Sequence, residues 1–189
     1  MRPSSQKLKV CFVGEAAVGK TSLIRRFVHD QFSDEYQATL GAKISAKNIV
    51  VKTPERRETN VKMMIWDIIG ETSILEDYGQ SYFFGAQGII AVCDLTRFST
   101  FERLPIWLSE VQRFAGGVPM ALAVNKDDLR TETLVLYDEY QVRQFAESVG
   151  AKLYMTSAKN GGNVELMFTK MAGDILDNIR TQGINVIPV

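Results

Sequence analysis

One short stretch, residues 14–21, has the residue types and spacing of a phosphate-binding loop. Glycines at 14 and 19 are followed by Lys20 and Thr21, so the stretch fits G-x-x-x-x-G-K-[ST] at every defined position. Glycine backbones can turn several amides toward one anion, lysine adds a full charge, and a threonine hydroxyl can bind Mg²⁺. The bare pattern is also compatible with an ordinary turn between a strand and a helix. The predicted nucleotide contacts in this region are Glu15, Ala16, Ala17, Val18, Gly19, Lys20, Thr21 and Ser22.

A second motif, D-x-x-G, is formed by Asp67 and Gly70 after an apolar, β-prone stretch at 60–66. A carboxylate there can hold Mg²⁺ from the side opposite Thr21, usually through a water, because Mg²⁺ loses its waters reluctantly. The glycine would let a backbone N–H approach a terminal phosphate. Alone, this motif is often only a turn that ends a strand, so its value depends on the loop before it.

A third motif, N-K-x-D at 125–128, indicates which base accompanies the phosphates. Asp128 can accept two hydrogen bonds from the N1–H and exocyclic amine of guanine, a donor pair that adenine lacks. Because a buried carboxylate without partners is costly, this arrangement would exclude ATP, and with it an ATP-dependent phosphoryl transferase. The Lys126 stem could cover the face of the base, and Asn125 could brace the loop.

A fourth motif comprises Ser157, Ala158 and Lys159 after the apolar stretch at 152–155. A backbone N–H here could meet guanine O6, and the Ser157 hydroxyl could orient Asp128. The third and fourth motifs would each be uninformative in isolation. Their order, with each one ending a predicted strand, makes a guanine nucleotide site the best interpretation.

The four motifs require a scaffold that brings strand ends together. Alternating strands and helices imply right-handed crossovers and a mostly parallel sheet covered on both faces. The polar, proline-containing segment 53–58 predicts an antiparallel hairpin at one edge. We therefore expect a three-layer α/β/α fold of the P-loop NTPase class, with six strands and ligands at their carboxyl ends. Predicted strands lie near 8–13, 43–52, 60–66, 88–94, 120–124 and 152–156, and predicted helices near 20–28, 73–83, 98–114, 138–149 and 163–180.

Length and composition narrow the class of protein. The 189 residues suggest one domain, assigned to 8–182 between tails at 1–7 and 183–189. Lysine plus arginine and aspartate plus glutamate both total 22, so no basic excess favours nucleic acid or an anionic membrane. Cys11 and Cys93 fall in predicted strands and are expected to be reduced, as in a cytoplasmic protein. No apolar run approaches the length of a membrane span, and residues 1–7 lack a signal-peptide core.

The chain resembles the Ras superfamily of small GTPases over nearly its whole length, and the Rab branch most closely. All four motifs occur in the family's order. Residues 66–71 resemble the family's W-D-T-A-G-Q, and residues 82–96 resemble the Rab stretch Y-Y-R-G-A-x-G-x-x-x-V-Y-D-x-T. The resemblance implies a switch that binds GTP or GDP with Mg²⁺ and hydrolyses GTP.

The resemblance also implies roles for residues that no local motif identifies. Thr39 would bind Mg²⁺ and the γ-phosphate, Phe32 would lie against the guanine, and Tyr36 could close over the phosphates. Switch I at 30–42 and switch II at 68–83 would be ordered by GTP and released on hydrolysis. Effectors, exchange factors and GTPase-activating proteins are the partners expected there.

The resemblance implies a division of labour in hydrolysis. Lys20, Mg²⁺ and the loop amides would stabilise charge on the γ-phosphate as water attacks, and Gly70 would add its N–H. Thr39 would order switch I. The implied metal ligands are Thr21, Thr39 and Asp67.

The chain departs from the family at the catalytic glutamine, where it has Glu71. A glutamine amide can accept from the attacking water and donate toward the transition state, whereas a carboxylate only accepts. It also adds negative charge where negative charge must be stabilised. Glu71 could position the water as a base, or hydrolysis could be weak without a partner. We expect weak hydrolysis, with a GTP-binding interaction module of negligible turnover as the alternative function.

Two further departures concern the loop and the C-terminus. Ala16 and Ala17 stand where many relatives carry glycine, and the Ala16 methyl could crowd an arginine supplied by an activator. The last nine residues, 181–189, contain no cysteine that could take a prenyl group, so no lipid anchor is evident.

Three aromatic residues outside the motifs carry predictions about packing. Tyr78 in switch II is expected to be exposed, and Phe84 after it is expected in the core. Trp107 lies at helical spacing with apolar neighbours and is also expected in the core.

Overall fold

The fold was analysed in a computed structural model, which describes residues 6–35, 37–52, 58–131 and 138–182, with backbone alone for 74–77. Tyr36, the loop of the predicted hairpin at 53–57, and the predicted tail at 183–189 lie outside the described residues. The described residues begin at Gln6, which is also the first residue of the first strand and lies two residues before the strand start predicted from sequence.

Six strands form one sheet in the described part of the chain, in the order β2-β3-β1-β4-β5-β6. The β2–β3 pair is antiparallel and all other pairs are parallel, which confirms the predicted three-layer α/β fold with one antiparallel edge strand. The strands are β1 (Gln6–Val13), β2 (Ala42–Lys52), β3 (Glu58–Ile68), β4 (Gly88–Asp94), β5 (Met120–Asn125) and β6 (Ala151–Met155).

The helices agree with prediction except at one break. The helix predicted over 98–114 is two helices separated at Arg103. Pro105 lies in the first turn of the second helix. It explains the break, because proline has no N–H and its ring clashes with the preceding turn of a continuous helix. The helices are α1 (Lys20–His29), α2 (Ser73–Phe83), α3 (Phe98–Glu102), α4 (Leu104–Ala115), α5 (Glu139–Ser148) and α6 (Val164–Thr181).

The core has two layers because β1 alternates its side chains between the faces of the sheet. Phe12 packs on one face with Phe168 of α6, whose ring stacks on Phe27 of α1 at 3.8 Å between centroids. Cys11 packs on the other face with Trp107 of α4, which is fully buried as predicted. Burial raises the pKa of the Cys11 thiol to about 12, and Cys11 and Cys93 are both buried and outside any disulfide.

The prediction that Phe84 belongs to the core is wrong, whereas Tyr78 is exposed as predicted. Helix α2 ends at Phe83, which is fully buried, and the backbone of Phe84 turns to an extended conformation. The Lys9 ammonium donates to the Phe84 carbonyl at 2.8 Å, and the Phe84 ring is left 76% exposed. Neighbouring residues therefore point in opposite directions once the helix ends.

None of the helices in the described part of the chain is long and apolar enough to cross a membrane.

Candidate functional site

The predicted motifs meet at the carboxyl edge of the sheet. Strand β1 pairs with β3 on one side and β4 on the other, so the loop at 14–19 leaves the sheet where the strand order reverses. Such a switch point is where open α/β sheets bind ligands. Strand β3 runs on to Ile68, so Asp67 lies within the strand, not after it.

The phosphate-binding loop holds its lysine by backbone carbonyls. Lys20 is only 6% exposed, and its ammonium donates to the carbonyls of Gly14 at 2.6 Å and Glu15 at 2.9 Å. Burial lowers the pKa of Lys20 to about 8, against the opposing charges of Asp67 and Glu15. A buried cation held by neutral carbonyls is suited to receive an anion.

Three residues in the loop, Gly14, Ala17 and Gly19, have positive φ angles. Gly19 has φ 98°, and an added Cβ would collide with the side-chain nitrogen of Asn125. Ala17 has φ 61°, which costs a residue with a Cβ about 1–2 kcal/mol. The chain therefore keeps the loop shape with alanine where glycine would be less strained.

Three oxygen-bearing side chains converge beside the loop. The Thr21 hydroxyl donates to Asp67 Oδ2 at 2.5 Å and lies 3.0 Å from the Thr39 hydroxyl. Burial raises the pKa of Asp67, while the hydrogen bond from Thr21 and the charge of Lys20 act to lower it. Asp67 Oδ1 is buried without a hydrogen-bond partner among the described residues. Hard oxygen donors with one unsatisfied carboxylate oxygen fit Mg²⁺, so the residues predicted to bind the metal suit it.

At the opposite end, the expected hydrogen bond between Ser157 and Asp128 is present, with the hydroxyl donating at 2.5 Å. Asn125 is 1% exposed, and its side chain donates to the Val18 carbonyl at 2.9 Å. Its Oδ1 accepts from the Ala158 amide at 3.3 Å. Asn125 therefore ties the phosphate-binding loop to the loop after β6, as its predicted bracing role requires.

Between the two ends lies a cavity of about 400 Å³, a size that suits a small-molecule ligand. Of the predicted nucleotide and catalytic residues, those lining it are Ala16, Ala17, Gly19, Lys20, Thr21, Ser22, Phe32, Thr39, Gly70, Glu71, Asn125, Lys126, Asp128, Ala158 and Lys159.

The remaining predicted residues lie outside this lining for identifiable reasons. Val18 is fully buried beneath the loop. Asp67 and Ser157 do not line the cavity, but they hydrogen bond to Thr21 and Asp128, which do. Glu15 lines a neighbouring cavity instead. Tyr36 lies outside the described residues.

Gly70 contacts the phosphate-binding loop so closely that a side chain would not fit. An added Cβ would lie 2.6 Å from the Glu15 carbonyl carbon and would also overlap Ala16. Glycine at this position therefore lets the segment that follows β3 approach the loop, and Glu71 next to it lines the cavity.

Sequence reasoning missed a charge network centred on Asp94, which is fully buried at the end of β4. It pairs with Lys126 at 2.7 Å and with Arg97 at 2.9 Å. Burial acts to raise the pKa of Asp94, but the hydrogen bonds from Lys126, Thr96 and Arg97 prevail and lower it. Arg97 also donates to the Ala16 carbonyl at 2.9 Å, so the network holds both the loop and Lys126.

Two other contacts were missed. The Arg26 guanidinium donates to the carbonyls of Ala158 at 2.8 Å and Lys159 at 2.6 Å, which fixes the loop after β6. Trp107 donates from Nε1 to Glu15 Oε1 at 3.1 Å. A usable signal existed only for Trp107, because a buried indole N–H needs an acceptor.

Comparison with known proteins agrees with this geometry. The protein-family model described as "Ras family" matches residues 9–177 of this chain. The chain is 38% identical over 174 residues to Ras-related protein Rab-1D of Dictyostelium discoideum, an alignment that covers 90% of this chain and 80% of the relative.

Proposed function

Because the chain belongs to the Ras family of GTP-binding switch GTPases, we propose that its 400 Å³ cavity holds GTP with Mg²⁺ and hydrolyses GTP slowly. One observation carries the proposal: a buried, carbonyl-held lysine and a serine-oriented carboxylate stand at opposite ends of one cavity. The first suits phosphates and the second suits guanine.

At the phosphate end, Lys20 and the amides of the loop bind the β- and γ-phosphates. The lysine needs little rearrangement because the Gly14 and Glu15 carbonyls already hold it. Its charge is more effective there than on the surface because Lys20 is only 6% exposed and is therefore poorly screened by solvent.

Thr21, Thr39 and Asp67 would hold Mg²⁺, and the buried Asp67 Oδ1 has no other hydrogen-bond partner among the described residues. When bound, Mg²⁺ neutralises part of the charge on the phosphates. Thr39 belongs to switch I, so its hydroxyl links the conformation of residues 30–42 to the nucleotide. Its hydroxyl already lies 3.0 Å from that of Thr21, which supports this assignment.

At the base end, Asp128 accepts hydrogen bonds from guanine, and Ser157 keeps its carboxylate in place. Phe32 and the Lys126 stem line the cavity and cover the base. The ion pair with Asp94 holds the Lys126 ammonium, so the stem has a fixed course.

Glu71 is the reason we propose slow hydrolysis. It lines the cavity where the attacking water would have to be oriented, and its carboxylate cannot donate toward the transition state. The same observation favours the second candidate, a GTP-binding module with negligible turnover. In either case partners would bind the switches, and this is supported by the exposure of Leu40 at 89% and Tyr78 at 55%.

Substitution of Glu71 by glutamine is expected to accelerate single-turnover GTP hydrolysis about tenfold or more, because glutamine supplies an N–H donor that a carboxylate lacks. GTP-loaded protein would be mixed with Mg²⁺ and its GDP content followed by chromatography. Glu147→Gln is the matched control, since Glu147 is exposed on α5 and distant in sequence from the motifs. A wild-type rate equal to or above that of Glu71→Gln would contradict the proposed role of Glu71. If the wild-type protein without a partner hydrolyses GTP too slowly to measure, the result would favour the second candidate function, the GTP-binding module.

A further inference from the structure

Glu71 lines two cavities, not one. The first is the nucleotide cavity, and the second is a neighbouring, smaller space of about 270 Å³ that shares Gly70 and Glu71 with it. The residues lining the second cavity are Glu15, Gly70, Glu71, Thr72, Ser73 and Arg103. A side chain at position 71 therefore has a place to lie away from the phosphates.

Arg103 brings a positive charge to this second cavity. It lies at the break between α3 and α4, where its side chain is half exposed, and its Nε lies 3.1 Å from Glu15 Oε1. An arginine side chain carries five N–H donors, more than one carboxylate oxygen can occupy. The guanidinium fork is suited to binding a second carboxylate in two-point contact.

Glu15 does not depend on Arg103 alone. The same Oε1 atom accepts from the indole N–H of Trp107 at 3.1 Å, and Trp107 is fully buried. The Glu15 carboxylate therefore keeps a fixed hydrogen bond if the guanidinium shifts. A shift of the Arg103 guanidinium away from Glu15 therefore leaves Glu15 Oε1 hydrogen-bonded to Trp107. The shift costs little free energy because no buried acceptor loses its last partner.

We propose that Arg103 is a positioning residue that binds the Glu71 carboxylate across the second cavity and keeps its charge away from the γ-phosphate. This inference rests on the proposed function, because it assigns the consequence to GTP binding. Without Arg103, the Glu71 carboxylate is free to enter the nucleotide cavity. It then repels the γ-phosphate of GTP, whereas GDP has no phosphate at that point.

The test is the ratio of GTP to GDP affinity. We expect Arg103→Gln to weaken GTP binding about threefold to fivefold relative to GDP, the range for a partly exposed charge pair. Arg103→Lys keeps the charge and should restore most of the ratio. In the Glu71→Gln background, Arg103→Gln should leave the ratio unchanged because no carboxylate remains to be held. Affinities would be measured for nucleotide-free protein with a non-hydrolysable GTP analogue and with GDP.

Arg113→Gln is the control, because Arg113 lies on α4, the helix that begins directly after Arg103, is 71% exposed and pairs with Glu110. An unchanged ratio in Arg103→Gln would overturn the inference, and so would an equal fall in both affinities, which indicates a structural role. A ratio change that persists with Glu71→Gln would overturn it as well. Failure of wild type to bind either nucleotide would instead overturn the proposed function.

Discussion

Replacing Lys20 with alanine is expected to lower the affinity for both GTP and GDP by about a hundredfold or more. Charge-assisted hydrogen bonds contribute about 1.5–3 kcal/mol each, and this lysine is placed to make them with the phosphates of either nucleotide. Lys20 is 6% exposed, and the partners that its ammonium has among the described residues are two loop carbonyls, which cannot take over its charge toward a phosphate. Titration of nucleotide-free protein with a fluorescent GDP analogue measures the loss.

Lys152→Ala is the matched control for this substitution. Lys152 lies on β6, is more than half exposed, and pairs with Asp174 at 2.6 Å on the surface. It should bind nucleotide like wild type. Melting temperatures of both variants without nucleotide separate lost binding from lost folding. Retention of wild-type affinity by a folded Lys20→Ala protein would refute the assignment of the phosphate-binding loop.

Replacing Asp128 with alanine is expected to lower GDP affinity about a hundredfold, because two hydrogen bonds to a charged acceptor are lost. Inosine diphosphate makes the measurement specific, since inosine lacks the exocyclic amine. Wild type should prefer GDP to inosine diphosphate by about tenfold, and Asp128→Ala should bind the two almost equally. The comparison isolates recognition of the base from recognition of the phosphates.

The adjacent carboxylate supplies the control. Asp127 pairs with Arg130 at 2.7 Å and does not line the nucleotide cavity, so Asp127→Ala should keep the preference for GDP. Ser157→Ala should show a smaller effect than Asp128→Ala, because it removes only the hydroxyl that orients the carboxylate. A full preference for GDP in Asp128→Ala would mean that another group reads the base.

Most of the site follows from sequence because its geometry is local. The phosphate-binding loop needs only a strand before it and a helix after it, so spacing places Lys20 and Thr21 correctly. Asn125 and Ser157 follow adjacent parallel strands, and such strand ends necessarily meet at one edge of the sheet. The fold is predictable for the same reason, since strand and helix patterns alternate along the chain.

The missed features depend on contacts between distant parts of the chain. Arg97 reaches the carbonyl of Ala16, 81 residues away, and Trp107 reaches Glu15, 92 residues away. No local spacing encodes such contacts. Phe84 was misplaced for another reason: hydrophobicity predicts burial, but the end of α2 at Phe83 determines which of the two rings faces the core.

The most direct measurement is a competition between GTP and ATP. Nucleotide-free protein is incubated with equal concentrations of both in the presence of Mg²⁺, unbound nucleotide is removed, and the retained nucleotide is identified by chromatography. We predict that the protein retains GTP, or GDP formed from it, in about one-to-one ratio and in large excess over adenine nucleotides, because Asp128 discriminates between the bases. Retention of ATP or ADP at comparable levels would contradict the assignment of this cavity as a guanine nucleotide site.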